Sequence, residues 1–209
     1  TDTEVGKTRI SVGLIKVLQQ QGLRVAAMKP VASGCEWRDG QLQNEDALAL
    51  SQQADIKLPY LQVNPYAFEP AIAPHLAAKQ VGETISLTVL ESQFTAMRLQ
   101  ADAVVVEGAG GWLVPLNDQQ TIADLAKALN LPVVLVVAIK LGCINHALLT
   151  VQAIADSGLK LVGWVANDFL DDSQSTAIIQ SLKQRIAAPC LGIVPKLAED
   201  EDASVYLTL

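Results

Sequence analysis

Gly6-Lys7-Thr8, following Thr1-Asp2-Thr3-Glu4-Val5, combines three residue types that together handle phosphate. A glycine lets successive backbone N–H groups turn toward one anion, a lysine reaches the outer phosphates, and a threonine hydroxyl is an oxygen ligand for Mg²⁺. The tripeptide opens a segment of helical period, so the positive end of that helix adds to the same anion site. A full phosphate-loop pattern needs an earlier glycine and, before it, a hydrophobic strand. That first strand and glycine lie outside residues 1–209, and the functional protein is expected to have them. Taken alone, the tripeptide also reads as an ordinary helix start with a solvated lysine.

The remaining elements must place and complete such a site. Ile10, Leu14, Val17 and Leu18 share one helix face between residues 6 and 21, and Gly22 stands where that helix stops. Residues 23–28 form a short apolar run ending in Lys29-Pro30. Residues 31–43, with Ser33, Gly34 and Gly40, read as a polar loop, and a second helix begins at Asn44 or Glu45 with Asp46 in its first turn. Pro59, Pro65, Pro70 and Pro74 predict turns over 58–74. Helical patterns at 75–82, 87–99, 121–129, 142–157 and 173–187 then alternate with apolar runs at 103–106, 132–139, 159–166 and 190–194.

Strands alternating with helices predict an α/β fold, doubly wound, with a mostly parallel sheet covered by helices on both faces, and one domain over residues 1–209. Ligands of such sheets bind at the carboxyl ends of the strands. Lys29, Glu107, Lys140, Asn167 and Pro195 each follow an apolar run, so they are expected along one rim beside the Gly-Lys-Thr turn. Thr8, Glu107 and Asp46 supply the oxygen donors that Mg²⁺ takes from a protein. Asp46 also reads as a helix-start acid, and the stretch Gly108-Ala109-Gly110-Gly111 as a tight turn that lets backbone pass close to a ligand.

Composition narrows the partners. Fifteen basic against 22 acidic residues give a net charge of −7, which argues against nucleic acid or an anionic membrane surface. The three cysteines, Cys35, Cys143 and Cys190, lack a Cys-x-x-Cys pair, so neither a disulfide framework nor a zinc site is indicated and a reducing cytoplasm fits. His75 and His146, the only histidines, stand far apart in sequence and read as structural, as do Trp112 and Trp164.

Seven blocks carry a resemblance: TDTEVGKT at 1–8, KPVASG at 29–34, DALAL at 46–50, VNPY at 63–66, VEGAGG at 106–111, KLGCINH at 140–146 and GWVAND at 163–168. Together they span nearly the whole chain, and they resemble the dethiobiotin synthetases, phosphate-loop enzymes that use ATP to close a cyclic urea in biotin synthesis. The resemblance implies a cytoplasmic homodimer that binds Mg-ATP, CO₂ and 7,8-diaminononanoate, with substrate near the subunit interface. It further implies catalytic roles for Lys7 and Lys29, with Ser33 and Thr3 beside the carbamate and Thr8, Asp46 and Glu107 holding the metal. ATP contacts are implied for Glu4, Val5, Gly6, Arg9, Gly108, Ala109, Gly110, Asn167, Asp168, Pro195, Lys196 and Leu197, the adenine falling to Asn167, with Glu201 or Asp202 as a further nucleotide contact. Gly142, Cys143, Ile144 and Asn145 form a helix start, which the resemblance makes the partner subunit's seat for the substrate carboxylate; Asn145 alone also reads as a helix cap. The helix over 173–187 has no tyrosine for the substrate tail, only Ile178 and Ile179. A switch ATPase of the septum-placement type would share the fold but carry an extra lysine within residues 1–5, where none stands.

Overall fold

The computed structural model describes residues 1–168, 173–198 and 201–209. Its elements are α1 (Lys7–Gln20), β1 (Val25–Met28), β2 (Val31–Ser33), β3 (Glu36–Arg38), β4 (Gln41–Gln43), α2 (Glu45–Gln53), α3 (Tyr60–Val63), β5 (Tyr66–Phe68), α4 (Pro74–Gln80), α5 (Leu87–Arg98), β6 (Ala103–Val106), α6 (Ile122–Ala128), β7 (Val133–Ile139), α7 (Cys143–Asp156), β8 (Leu161–Asp168), α8 (Ser173–Arg185) and β9 (Cys190–Val194), closed by a 3₁₀ turn at Ala203–Tyr206. β1 pairs in parallel with β6, and β7, β8 and β9 form a parallel three-stranded sheet in that order. These are the strands that read as unbroken apolar runs, as burial on both faces requires.

Alternation along each strand assigns its two faces. On β1, Ala26 and Met28 pack with α5 and α6 through Leu90, Phe94 and Leu125, whereas Val25 and Ala27 pack with α1 and α2 through Ile15 and Leu50. On β7, Leu135, Val137 and Ile139 meet α7 and α8, while Val136 and Ala138 meet α1 through Ile10, Leu14 and Val17. Helix α1 therefore lies over both groups of strands on one face, with α5 to α8 on the other. This is the doubly wound α/β arrangement expected from the β-α alternation.

Two segments differ from the sequence reading. Residues 31–43 are not simply a polar loop: β2 pairs in parallel with β5, and β3 and β4 form an antiparallel hairpin. The hairpin turns at Asp39-Gly40, with φ of 50° and 79°, the left-handed pair that a two-residue turn demands. Residues 58–74 likewise hold α3 and β5 between their prolines. Both segments were hidden because strands of three residues carry too little alternation to register as a pattern.

β6 and β7 are not hydrogen-bonded to each other. Their edges line a groove of about 420 Å³ bounded by Val104, Val106, Val134, Val136, Leu14 and Leu125. At one end of it the Thr1 hydroxyl donates to the Val136 carbonyl at 3.1 Å.

Candidate active site

The loop ahead of α1 turns through left-handed backbone at Glu4 and Gly6, with φ of 57° and 85°, so that Gly6 caps the helix. Glycine adopts this at no cost, whereas Glu4 is held there against its preference. Close packing surrounds the loop: a Cβ on Gly111 would stand 2.8 Å from the Thr1 carbonyl oxygen, and one on Gly110 would stand 2.9 Å from Val114 and 3.6 Å from the Thr3 hydroxyl. The glycine-rich turn after β6 thus bears on the phosphate loop itself. Lys7 curls back so that its ammonium donates to the Asp2 carbonyl.

Three elements converge beyond the loop. Lys29, at the end of β1, is 4 % exposed, and its ammonium donates to Glu107 Oε1 at 2.6 Å and to Asp46 Oδ2 at 2.9 Å. Thr8, in the first turn of α1, donates its hydroxyl to the same Glu107 oxygen at 2.9 Å. Asp46 is brought there by α2, which Asn44 caps by accepting from the Asp46 and Ala47 amides. Burial works against the Lys29 ammonium, but Glu107 and Asp46 outweigh it and hold its pKa above the ordinary lysine value. Burial and the nearby Lys29 charge hold Lys7 below that value. Asp46, although burial works against its charge, is held below the usual carboxylate range by the Lys29 ammonium.

These groups line a cavity of about 740 Å³ together with Thr3, Glu4, Gly6, Ser33, Asn44, Ala109 and Gly110, and its apolar wall is Ala71, Ile72, Ala73, Pro74 and Val114. Glu107 Oε2 and Ser33 Oγ are buried there with no hydrogen-bond partner among the described residues. An orphaned carboxylate oxygen beside a second carboxylate and a hydroxyl is a hard-oxygen donor set, so Thr8, Asp46 and Glu107 fit Mg²⁺.

Other residues expected at the site stand elsewhere. Asn167 is buried and donates to the Val5 carbonyl at 2.9 Å, and Asp168 accepts from Ser175 at 2.8 Å; neither lines the cavity. Leu197 meets the loop helix through its carbonyl, which accepts from Arg9 at 3.1 Å, while Lys196 is exposed and Pro195 half-buried. Gly108 packs against Ile122, where a Cβ would come within 3.2 Å. Glu201 and Asp202 already have partners, the Ala198 amide and Lys16 respectively. Gly142, with φ of 89°, caps α7, so Asn145 is not the cap; it lies within the helix, beyond Cys143 and Ile144. Cys143 is buried among Ile139 and Ala147, and Ile178 and Ile179 pack into the same core.

Sequence reasoning gave no role to Tyr60 or to Asn64 of the VNPY block, which tie β1 to α2 beneath the site. The available signal was a tyrosine four residues before an asparagine in a proline-bounded turn. His146, in the first turn of α7, stands 3.9 Å from Asp2 on the loop, a contact also invisible in the sequence.

Comparison with known proteins gives concordant findings. The family model described as "AAA domain" matches residues 1–204. The ATP-dependent dethiobiotin synthetase BioD of Pseudomonas aeruginosa is 53 % identical over 208 residues, covering 98 % of this chain and 91 % of the relative. The enzyme of the same name from Cellvibrio japonicus is 52 % identical, covering 100 % and 93 %, and BioD 1 of Escherichia coli is 48 % identical, covering 97 % and 90 %. Among solved structures, the septum site-determining protein MinD of Pyrococcus horikoshii, complexed with Mg-ADP, superposes with a TM-score of 0.55 at 16 % identity over 93 % of this chain and 78 % of that one. The MinC:MinD complex of Aquifex aeolicus gives 0.60 at 12 % identity, over 95 % and 81 %. At such identities the likeness is one of fold.

Proposed function

The chain belongs to the ATP-dependent dethiobiotin synthetase family, and we propose that it joins CO₂ to 7,8-diaminononanoate and closes the cyclic urea, releasing ADP and phosphate. One observation carries the assignment of residues: Lys29, Glu107, Asp46 and Thr8 meet within 2.6–2.9 Å at the wall of a cavity that the Lys7 loop also lines. One amine of the substrate adds to CO₂ and loses a proton, giving a carbamate. Lys29 and Ser33 hold its oxygens, with Thr3 across the cavity. Lys7 spans the outer phosphates and the carbamate, so that the γ-phosphoryl group passes to a carbamate oxygen as ADP leaves. The second amine then attacks the carbamate carbon and gives up a proton to solvent, the C–O bond breaks as inorganic phosphate leaves, and the ring closes. No protein nucleophile takes part; positioning and charge stabilisation supply the catalysis. When bound by Thr8, Asp46 and Glu107, Mg²⁺ supplies charge neutralisation at the phosphate oxygens.

Asn167, Asp168 and residues 195–197 are assigned to the nucleotide base, which they would reach behind Val5 and Arg9. The homodimer is assigned to the α7 side, where Leu141 is 98 % exposed and Leu149 62 % exposed, with the start of α7 seating the partner's substrate carboxylate. Buried free thiols at Cys35 and Cys143 accord with a reducing cytoplasmic setting. Incubation with ATP, labelled bicarbonate and the diamine tests the reading. Label is expected in a cyclic urea, with one ATP consumed per ring. ATP hydrolysis that ignores the diamine and leaves the label in bicarbonate would overturn it.

A further inference from the structure

A closed circuit of hydrogen bonds runs from the backbone of Lys29 to its own side chain. The Lys29 amide donates to the Val63 carbonyl at 2.8 Å, and the Lys29 carbonyl accepts from the Asn64 side-chain amide at 2.6 Å. Asn64 is wholly buried; its amide also donates to the Tyr66 carbonyl, and its Oδ1 accepts from the Tyr60 hydroxyl at 2.9 Å. That hydroxyl in turn accepts from the Asn44 amide at 2.7 Å. Asn44 caps α2, whose first turn bears Asp46, and Asp46 receives the Lys29 ammonium at 2.9 Å. β1 and α2 are thus spaced by α3 and the turn that follows it.

We propose that Tyr60 and Asn64 are positioning residues for the reaction: through this circuit they fix the Lys29 ammonium relative to the Asp46 carboxylate. Neither lines the cavity. The phenol suits the place because one hydroxyl must donate to Asn64 and accept from Asn44 at once, and each bond polarises the other. Burial, the largest influence, pushes the Tyr60 pKa up to about 12, so its proton is retained. Phenylalanine keeps the ring and cuts the circuit, leaving the Asn44 amide and Asn64 Oδ1 without their partner. Displacements of about 1 Å at a reacting group cost on the order of 10²-fold in rate, and a circuit cut at one joint is expected to cost part of that.

The inference rests on the roles given to Lys29 and Asp46 above, and a double-mutant cycle on ring closure separates the two claims. Tyr60→Phe is expected to lower kcat about 10-fold, with KM for ATP within about 2-fold of the parent and circular dichroism unchanged. In the Asp46→Asn background, where the pair is already broken, the same change is expected to cost less than about 2-fold. If Asp46→Asn lowers kcat but Tyr60→Phe does not, or costs the same in both backgrounds, the positioning claim is overturned and the assigned function stands. If Asp46→Asn turns over at the parent rate, the role of Asp46 falls, and the positioning claim with it. Asn64→Ala cuts the circuit at its other joint and reads the same coupling if Tyr60→Phe accumulates unfolded.

Discussion

Lys29 is a buried cation whose two carboxylate partners come from different elements, and that fixes what its removal does. Lys29→Ala is expected to cost about 3 kcal/mol or more of transition-state stabilisation, on the scale of an oxyanion-type donor, with little change in nucleotide affinity. Steady-state rates and a nucleotide titration check both halves. Because Glu107 is only 3 % exposed, the variant also strands a buried carboxylate, so a fall in thermal stability is expected that Lys29→Ala with Glu107→Gln partly restores. Gly111→Ala sets a methyl 2.8 Å from the Thr1 carbonyl and displaces the loop. Nucleotide affinity should weaken about 10-fold, or about 1.4 kcal/mol, by calorimetry. The residue types at 7, 8, 29, 46 and 107 were legible as phosphate and metal chemistry from the sequence, because each stands where an apolar run or a helix begins or ends. The partners of Asn167 and His146 were not, since those contacts span 162 residues (Asn167 to Val5) and 144 residues (His146 to Asp2) of chain with no local pattern to announce them.

Secondary elements were legible in proportion to their length. β7, α1 and α7 show their period over many residues, whereas β2 to β5 are each three residues long and emerge only from pairing. The Asp39-Gly40 pair was the one local signal for the hairpin. Helix α6 shows how a short element is nonetheless pinned: the Thr121 amide donates to the Asp124 carboxylate at 2.8 Å, and the Thr121 hydroxyl oxygen accepts from the Asp124 amide at 3.4 Å. Hydrogen bonds from the Thr121 side chain and backbone hold the Asp124 carboxyl below the usual range. A depressed carboxylate contributes stability that is present above its unfolded pKa of about 4 and lost as pH falls through the lower folded value. Thr121→Ala is therefore expected to cost about 1 kcal/mol at pH 7, and the gap from the parent should narrow below about pH 4 in thermal melts. A gap independent of pH would show that the cap acts without its charge.

At the scale of the molecule, the β-α order was enough to give the α/β class, the parallel pairing and the rim on which the site gathers. It could not give the groove between β6 and β7, which exists only once both edges are set in place. That groove has the apolar lining and edge hydrogen-bonding groups for one extended segment continuous with Thr1. Extending the chain ahead of Thr1 by about six apolar residues ending in glycine would bury about four side chains, on the order of 8 kcal/mol gross. Against a typical net stability of about 5–15 kcal/mol, the thermal midpoint is expected to rise by at least about 5 °C. Nucleotide affinity should rise with it as the loop is anchored at both ends. A midpoint unchanged by the extension would show that the groove does not take a strand.

The underside of α1 belongs to the far end of the chain. Leu207 and the Ser204 amide pack so closely on Gly13 that a Cβ there would stand 2.9 and 3.2 Å from them; Arg9 grips the Leu197 and Ala198 carbonyls, and Lys16 pairs with Asp202. The helix that begins at the phosphate loop is therefore braced from beneath by residues 197–198 and 202–207. Loosening residues 203–207 should accordingly weaken nucleotide binding from the side of the helix that faces away from the phosphate loop.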